Sequence, residues 1–209
     1  MAQRGGGGRR RRQRRQQQQY EELDKYPVMP PHAFARIVRD LRTLNIVYQV
    51  IEPPLTKKEE EVRSEIQAIF IQALTADIDE IDANPELYLR AAMDQIVKSY
   101  RLKVNKKSRS KIFYYLKRDL IGYGRMDVLM NDANVEDVSL DGTNIPIFAY
   151  HRKFESTETT IAWPDDQELE SYVIKLAQRC GKHISVAEPL LDATSVSYTH
   201  LTLPTNREV

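Results

Sequence analysis

The chain has 209 residues, of which 29 % are charged and 41 % hydrophobic, a composition typical of soluble globular proteins. This length suffices for one or two small domains and excludes a large single-domain enzyme. No apolar run approaches the roughly 20 residues that span a bilayer, and the first residues lack the apolar stretch of a secretory signal. A single cysteine, Cys180, and four scattered histidines provide neither an internal disulfide nor a metal-ligand spacing, which favours a reducing cytoplasm.

The net charge of +1 conceals a strong asymmetry along the chain. The first nineteen residues carry seven arginines and no acidic residue, so the remainder has a net charge of −6. Their Gly- and Gln-rich composition predicts a disordered arm whose role, if any, is electrostatic. Three interpretations stay open for this arm: a solvated tail, contact with an anionic membrane surface, and contact with nucleic acid. The arginines expected to contact a membrane or another polyanion are Arg9, Arg10, Arg11, Arg12, Arg14 and Arg15.

Residues 20–121 predict a mostly helical subdomain. A short helix is predicted over 33–44, because its apolar residues recur at helical spacing, and a strand is predicted over 45–51. Helices are then predicted over about 56–76, from the N-cap Asn84 onward, and over about 108–121. The second of these helices is expected to bury Leu87, Met93, Ile96, Val97 and Tyr100.

Residues 122–194 predict a small α+β subdomain. Extended stretches over 136–140, 145–151 and 155–163 are joined by a turn at Asp141-Gly142 and by a loop at Arg152-Lys153. A final helix is expected to begin after the N-cap Asp165 and to end at Gly181. The chain as a whole is therefore predicted to be α+β.

No complete catalytic motif is present in the sequence. It contains no G-x-x-x-x-G-K-[ST] loop, and Gly122-Tyr123-Gly124 follows a predicted helix where a dinucleotide-binding motif requires a strand. The pair Glu136 and Asp137 is interpreted as a turn and a strand start rather than as an acid/base pair. Catalytic, cofactor-binding and metal-binding residues are accordingly predicted to be absent from this stretch, and Gly122 and Gly124 are expected to act as backbone hinges.

Four motifs stand in a characteristic order in the sequence: Tyr48–Pro54 (YQVIEPP), Leu120–Gly124 (LIGYG), Asn134–Val138 (NVEDV), and Gly181–Ser185 (GKHIS) with Glu188–Thr194 (EPLLDAT). In order and spacing they resemble the amino-terminal region of archaeal type II/IV secretion ATPases, the motors of archaellum and type IV pilus assembly. The resemblance covers about residues 20–194. It departs from the family at Ala133, where the family often has proline.

The resemblance implies a hexameric ATPase, cytoplasmic and peripheral at the inner face of the membrane, that binds ATP and Mg and works with a polytopic membrane platform protein. In the family this region precedes a P-loop motor domain, whose Walker residues are absent from the present sequence, so no activity is expected from this stretch alone. Glu136, Asp137, Glu188 and Asp192 are the interface candidates, with Glu188–Asp192 leading toward the nucleotide.

Two other function classes stay open. A stand-alone adaptor without ATPase activity would have the same residues. A nucleic-acid-binding protein would use the arginines of the arm together with the basic residues before the third helix, but the net charge of −6 on the remainder argues against it. Those basic residues are Lys106, Lys107, Arg109 and Lys111.

Residues 195–209 are interpreted as an artefact at the gene end. The stretch Val196–Thr205 (VSYTHLTLPT) resembles a transposase-type sequencing adapter translated in frame. By composition alone it would be predicted as a Thr-rich edge strand. Such a stretch is excluded from reasoning about function, so Thr199, His200 and Thr202 are assigned to no site.

Overall fold

The computed structural model describes residues 19–73 and 84–179, and it describes residues 191–194 and 200–203 at the level of the backbone. The described chain is α+β and divides into two compact units. The helical unit consists of the described residues of Glu52–Asp127, and the sheet unit consists of the described residues before and after that range. The predicted arm, with Arg9–Arg15, lies outside the described residues, as do Cys180, Gly181 and Glu188.

The sheet unit is built on a mixed sheet of described strands. They are β1 Tyr20–Met29, β2 Ala33–Asp40, β3 Ile46–Ile51, β4 Val135–Ser139, β5 Phe148–His151, β6 Glu155–Thr159, β7 Leu191–Thr194 and β8 His200–Leu203. Their order in the sheet is β1-β2-β3-β6-β5-β4-β8-β7. Within this described sheet, β3 pairs with β6 and β4 with β8 in parallel, and the other neighbours are antiparallel.

The two faces of this sheet differ in burial. On the inner face, Ile37 pairs with Tyr48 and Tyr48 pairs with Thr159, and all three are buried. On the outer face, Val47 pairs with Glu158, which in turn pairs with the exposed Phe148. Alternate side chains of a strand point to opposite faces, so an apolar inner face and a more polar outer face follow from the sequence alternation.

The prediction of a helix over 33–44 is wrong, because this segment forms β2 and the turn that follows it. Ala33, Ala35 and Ile37 alternate on the buried face, and each pairs with β1 or β3. The apolar spacing of this segment fits both the period of a helix and the two-residue period of a strand. The segment forms a strand because it pairs with a neighbouring strand on each side. Leu41, one of the apolar residues whose spacing predicts the helix, is exposed in the turn.

The helices are α1 Lys57–Ala73, α2 Pro85–Ser99, α3 Lys106–Leu116, α4 Asp127–Met130 and α5 Asp166–Arg179, with a π-helix over Lys117–Ile121 and a 3₁₀ turn over Gly124–Met126. Their starts follow the capping residues. Asn84 Oδ1 accepts from the Leu87 N–H at 3.1 Å, and Asp165 Oδ1 accepts from the Glu168 N–H at 2.8 Å. The predicted caps at Asn84 and Asp165 are thereby confirmed.

The core of the helical unit lies between α1, α2, α3 and the π-helix, and its buried residues are Ile66, Phe70, Leu89, Met93, Ile96, Val97, Ile112, Phe113 and Leu116. The prediction that Leu87 and Tyr100 are buried is wrong, since both side chains are exposed. Leu89 takes the place expected for Leu87. It lies four residues before Met93 and thus on the same helix face, whereas a spacing of six residues turns Leu87 away.

The division of the chain also differs from the predicted boundaries. Residues 20–51, expected to belong to a helical subdomain over 20–121, form strands and group with the sheet unit. The helical unit is thus a segment inserted between β3 and β4. Periodicity along the sequence recognises single elements, but the pairing of β3 with β6 joins residues more than a hundred positions apart.

Candidate functional site

Gly122 and Gly124, the predicted hinges, lie in the helical unit just after the π-helix. A Cβ atom on Gly122 would stand 2.7 Å from Asp127 Cγ and 2.8 Å from the Arg118 carbonyl oxygen, closer than real contacts. Asp127 is buried, and its Oδ1 accepts from the Tyr123 N–H at 2.8 Å. Gly122 is therefore needed for close packing. Gly124 has a φ of +56°, the left-handed region that favours glycine.

Glu136 and Asp137, the predicted interface pair, lie on β4 of the sheet unit. Both side chains are exposed. Glu136 forms a 3.0 Å ion pair with Arg152, and Asp137 pairs with Tyr150 next to an irregularity in the β4–β5 register. Asp192 lies on β7, which reaches β4 only through β8, a strand within the stretch 195–209 that is interpreted as an artefact. Glu136 and Asp137 are therefore exposed neighbours on β4, and no contact of the natural sequence joins Asp192 to them among the described residues.

A buried polar cluster that the sequence analysis missed lies on the inner face of the sheet. We call it the Asp132 cluster; it consists of Tyr26, Tyr48, Asp132, Asn134 and His151. Asp132 Oδ2 accepts from the Tyr26 hydroxyl at 2.7 Å and from the Tyr48 hydroxyl at 2.6 Å. Asp132 Oδ1 accepts from the Asn134 backbone N–H at 2.9 Å and from its side-chain amide at 3.2 Å. Each carboxylate oxygen therefore has two donors, which compensates for its burial.

The hydrogen bonds also fix the tautomer of His151. Its Nδ1 accepts from the Lys153 N–H at 3.1 Å, so the proton of the neutral ring is on Nε2, which lies 2.9 Å from the Tyr26 oxygen. Burial lowers the pKa of His151, which favours this neutral form. Burial and the bond to Asp132 raise the pKa values of Tyr26 and Tyr48 well above their usual range. A chain of donors thus runs from His151 through Tyr26 to Asp132.

A second polar cluster belongs to the helical unit, and we call it the Arg118 cluster. Arg118 Nη1 binds both carboxylate oxygens of Glu52 at 2.8 and 2.9 Å, and Arg118 Nε binds Asp119 at 2.8 Å. The guanidinium lies 4.6 Å from the centre of the Tyr115 ring. The Tyr114 hydroxyl donates to Glu52 at 2.7 Å, and burial raises the pKa of Tyr115 to about 12. The cluster thus ties Glu52, the first residue of the helical unit, to the π-helix that contains Arg118. Single turns of π-helix are often found at functional positions.

A cleft of about 410 Å³ lies at one end of the sheet, where β2 turns into β3 and β6 ends. Tyr20, Asp40, Val47 and Glu158 contribute to its lining. Within the described part of the chain, the Glu158 carboxylate takes part in no hydrogen bond or ion pair, and Asp40 accepts from the Arg42 N–H at 2.8 Å. Two carboxylates suit a basic group better than a phosphate.

The described residues contain no group of His, Cys, Asp or Glu side chains arranged to hold a metal ion. Among the same residues, no helix has the length and apolar character needed to cross a bilayer.

The comparisons with known proteins place the chain among archaeal relatives. No model of a protein family matches it. The chain is 37 % identical over 163 residues to the uncharacterized protein MJ1288 of Methanocaldococcus jannaschii, a match that covers 78 % of this chain and 65 % of that protein. It is 35 % identical to the uncharacterized proteins MJ0900 and MJ0781 of the same organism over 94 and 82 residues. These matches cover 45 % and 39 % of this chain and only 17 % and 11 % of the two proteins. The chain spans less than two thirds of each of these relatives.

Proposed function

We propose that this chain is the amino-terminal, partner- and motor-facing part of a hexameric secretion ATPase that powers assembly of an archaellum or a type IV pilus-like filament. The observation that carries the proposal is the order and spacing of four sequence motifs, Tyr48–Pro54, Leu120–Gly124, Asn134–Val138 and Gly181–Thr194. In this account the hydrolytic chemistry, with ATP and Mg, belongs to a P-loop domain outside the present sequence.

The contacts of three motifs support this reading. Glu52, in the first motif, binds Arg118, which lies two residues before the second motif. Tyr48, also in the first motif, shares the Asp132 carboxylate with Asn134 of the third motif. The first motif is thus bonded to a residue just before the second motif, 66 positions away, and it meets the third motif at the Asp132 carboxylate. Motif residues that hold the fold together in this way are expected in a non-catalytic region of a larger machine.

The lengths of two relatives support the same reading. In MJ0900 and MJ0781 the matching stretch is 17 % and 11 % of the protein, so a similar sequence forms a small part of much longer chains. That is the arrangement expected of a region that serves a separate motor domain. The intact protein would act at the cytoplasmic face of the membrane, as a hexamer, together with a membrane platform protein.

The test uses the product of the complete natural gene. We expect light scattering to give the mass of a hexamer, and we expect ATP hydrolysis that disappears when the P-loop lysine is replaced by alanine. The exposed interface candidate Asp137 is tested in the same protein. We expect Asp137→Asn to lower ATP hydrolysis because Asp137 is predicted to face the motor domain. Its side chain takes no part in the core, so the substitution should leave nucleotide binding unchanged. Glu65→Gln, an exposed carboxylate on α1, is the matched control. A protein that neither binds nor hydrolyses ATP would contradict the proposal.

A non-catalytic adaptor is the second candidate, and the length of MJ1288 favours it. The 163 matched residues make up 65 % of that protein, so roughly 90 of its residues lie outside the match. This is less than the roughly 100–150 residues of a typical domain. An adaptor would give a gene product without a P-loop that assembles with a separate ATPase, and the same purification and hydrolysis assay distinguishes the two candidates.

A further inference from the structure

The segment that joins α2 to α3 carries a concentration of positive charge. Between residues 95 and 118 the sequence has nine basic residues and no acidic residue. We call residues 98–107 the basic segment. Its five cationic side chains are all exposed to solvent, and they are Lys98, Arg101, Lys103, Lys106 and Lys107.

The fold supplies carboxylates to the other basic residues of this stretch but not to these five. Each of the other four forms an ion pair: Arg109 with Asp94 at 3.5 Å, Lys111 with Glu59 at 2.7 Å, Lys117 with Glu86 at 2.6 Å and Arg118 with Glu52 at 2.8 Å. Among the described residues, no cation of the basic segment has an ion pair or a side-chain hydrogen bond. The charges of this segment are therefore not used to hold the described fold together.

The backbone of the basic segment is anchored to the helical unit. The Leu102 N–H donates to the Val97 carbonyl at 3.0 Å, a bond that closes the end of α2. Leu102 and Val104 pack against the core, whereas Arg101 and Lys103, which alternate with them, are exposed. The cationic side chains thus extend from an ordered backbone and share the outer side of the connection.

Arg101 occupies a position at which glycine or asparagine is favoured. It follows Tyr100, the C-cap of α2, and its φ of +51° lies in the left-handed region. An arginine gains nothing for the fold at a position where it is exposed, strained and without a carboxylate partner among the described residues. Such strain at an exposed side chain is typical of positions used in binding.

The residue types of the basic segment favour a surface of diffuse negative charge. Four of its five cations are lysines, whose compact ammonium lacks the planar fork with which arginine recognises single carboxylates or phosphates. Tyr100 is 56 % exposed, and tyrosine rings favour the depth of lipid headgroups because they are apolar with a polar tip. It is the sole aromatic residue of the segment, whereas binding of single-stranded nucleic acid uses several stacked rings.

We propose that the basic segment binds the headgroups of an anionic bilayer, with its five cations near the lipid phosphates and the Tyr100 ring at headgroup depth. Each basic residue close to an anionic membrane raises the affinity roughly fivefold, and salt screens this attraction. The proposal rests on the peripheral membrane location in the proposed function, for which it names the surface that faces the lipid. It does not depend on ATP hydrolysis.

The first test measures co-sedimentation of the full chain with vesicles of equal parts phosphatidylglycerol and phosphatidylcholine. Lys106→Gln/Lys107→Gln should bind at least about tenfold more weakly than the unchanged chain, because two of the five cations are lost. Lys57→Gln/Lys58→Gln is the matched control, since it also replaces two exposed lysines at the start of a helix. The control should bind within about twofold of the unchanged chain. The two variants have the same net charge, so a difference between them reports where the charge lies.

A fluorescence measurement locates the contact independently. Tyr100→Trp places an indole within the basic segment, and a nitroxide group on the lipid headgroups should quench its emission. Leu87→Trp is the control, because Leu87 is exposed near the other end of α2, roughly 20 Å away along the helix axis, and its emission should not be quenched. The buried Trp163 contributes the same background to both variants.

Three outcomes would overturn the proposal. Equal vesicle binding by the two lysine variants, or absence of quenching in Tyr100→Trp, would place the membrane contact elsewhere, and the peripheral location would survive. Duplex DNA that binds with the difference between the variants expected for vesicles, while vesicles do not bind, would assign the basic segment to a soluble polyanion. Absence of vesicle binding by the unchanged chain would refute both the lipid contact and the peripheral location, but it would leave the ATPase assignment to its own hydrolysis assay.

Discussion

The two glycines at the end of the π-helix, Gly122 and Gly124, are required for different reasons. Gly122 was expected to be a hinge, and no observation tests that role. The structure instead shows that close packing requires glycine at this position, since a Cβ atom would collide with Asp127 and with the backbone of Arg118. Gly124, two residues later, is explained by its positive φ. Two neighbouring glycines thus serve different physical needs.

Replacement of Gly122 by alanine should destabilise the protein. The new methyl group must displace the buried Asp127 carboxylate, which holds the Tyr123 N–H, or the carbonyl of Arg118. We expect a loss of about 1–3 kcal/mol in the free energy of unfolding, measured by urea denaturation. Gly124→Asn is the control, because asparagine tolerates the left-handed conformation, and it should change stability little. A Gly122→Ala variant as stable as the unchanged chain would contradict the packing account.

Tyr48 is the residue whose hydroxyl is predicted to matter most for the sheet unit. It is fully buried and donates to Asp132 Oδ2 at 2.6 Å. Tyr48→Phe removes one of the four donors to a buried carboxylate, and we expect a loss of about 1–3 kcal/mol in the free energy of unfolding. Tyr150→Phe, at an exposed position, should change it by less than about 0.5 kcal/mol. Equal effects of the two substitutions would show that Asp132 does not depend on this bond.

At the scale of elements, the helices begin where local sequence predicts and the strands are selected by their partners. Asn84, Asn105 and Asp165 each accept from a backbone N–H three residues ahead. Such caps depend on neighbouring residues and can be read from sequence. The segment over 33–44 shows that strands cannot be assigned in the same way. Its apolar spacing is compatible with a helix, and only its pairing with β1 and β3 makes it a strand.

The start of α1 provides a pH-dependent prediction. Thr56 and Glu59 form a capping box, in which Glu59 accepts from the Thr56 N–H at 2.8 Å, and Lys111 of α3 lies 2.7 Å from the same carboxylate. The Lys111 ammonium and the Thr56 N–H lower the pKa of Glu59 to about 2. A carboxylate whose pKa is lower in the folded protein stabilises the fold above its unfolded pKa of about 4.5 and loses this contribution as the pH falls toward 2.

Replacement of Glu59 by glutamine should therefore remove part of the acid sensitivity. The difference in the free energy of unfolding between the unchanged chain and Glu59→Gln should be largest above pH 5 and should shrink as the pH is lowered from about 4.5 to about 2. Denaturation curves at several pH values measure it. Glu61→Gln, at an exposed position on the same helix, is the control. A difference that stays constant over this range would contradict the ion pair with Lys111.

At the scale of the whole molecule, sequence predicts the α+β class and most elements but not their grouping. The strand over 46–51, the three central helices and the hairpin at Arg152-Lys153 are confirmed within a few residues. Asp132, Tyr26 and His151 could not be recognised as a site, because they come from separate strands and loops 19 to 125 positions apart. Burial makes the hydrogen bonds of such polar side chains important, and these side chains become buried or partly buried only when the strands assemble into the sheet. One signal was available: Asp132 and Asn134 come just before β4, and Asn134 opens the motif Asn134–Val138.

The proposal that this chain is the non-catalytic region of a larger motor depends on the natural sequence beyond Thr194. The source DNA should be read across the Thr194 codon by a method that uses no transposase adapter. We expect the reading frame to continue past Thr194 without the Val196–Thr205 stretch and to reach a G-x-x-x-x-G-K-[ST] loop followed by a helix pattern. A stop codon shortly after Thr194 would contradict the motor assignment and leave the adaptor as the function of this chain.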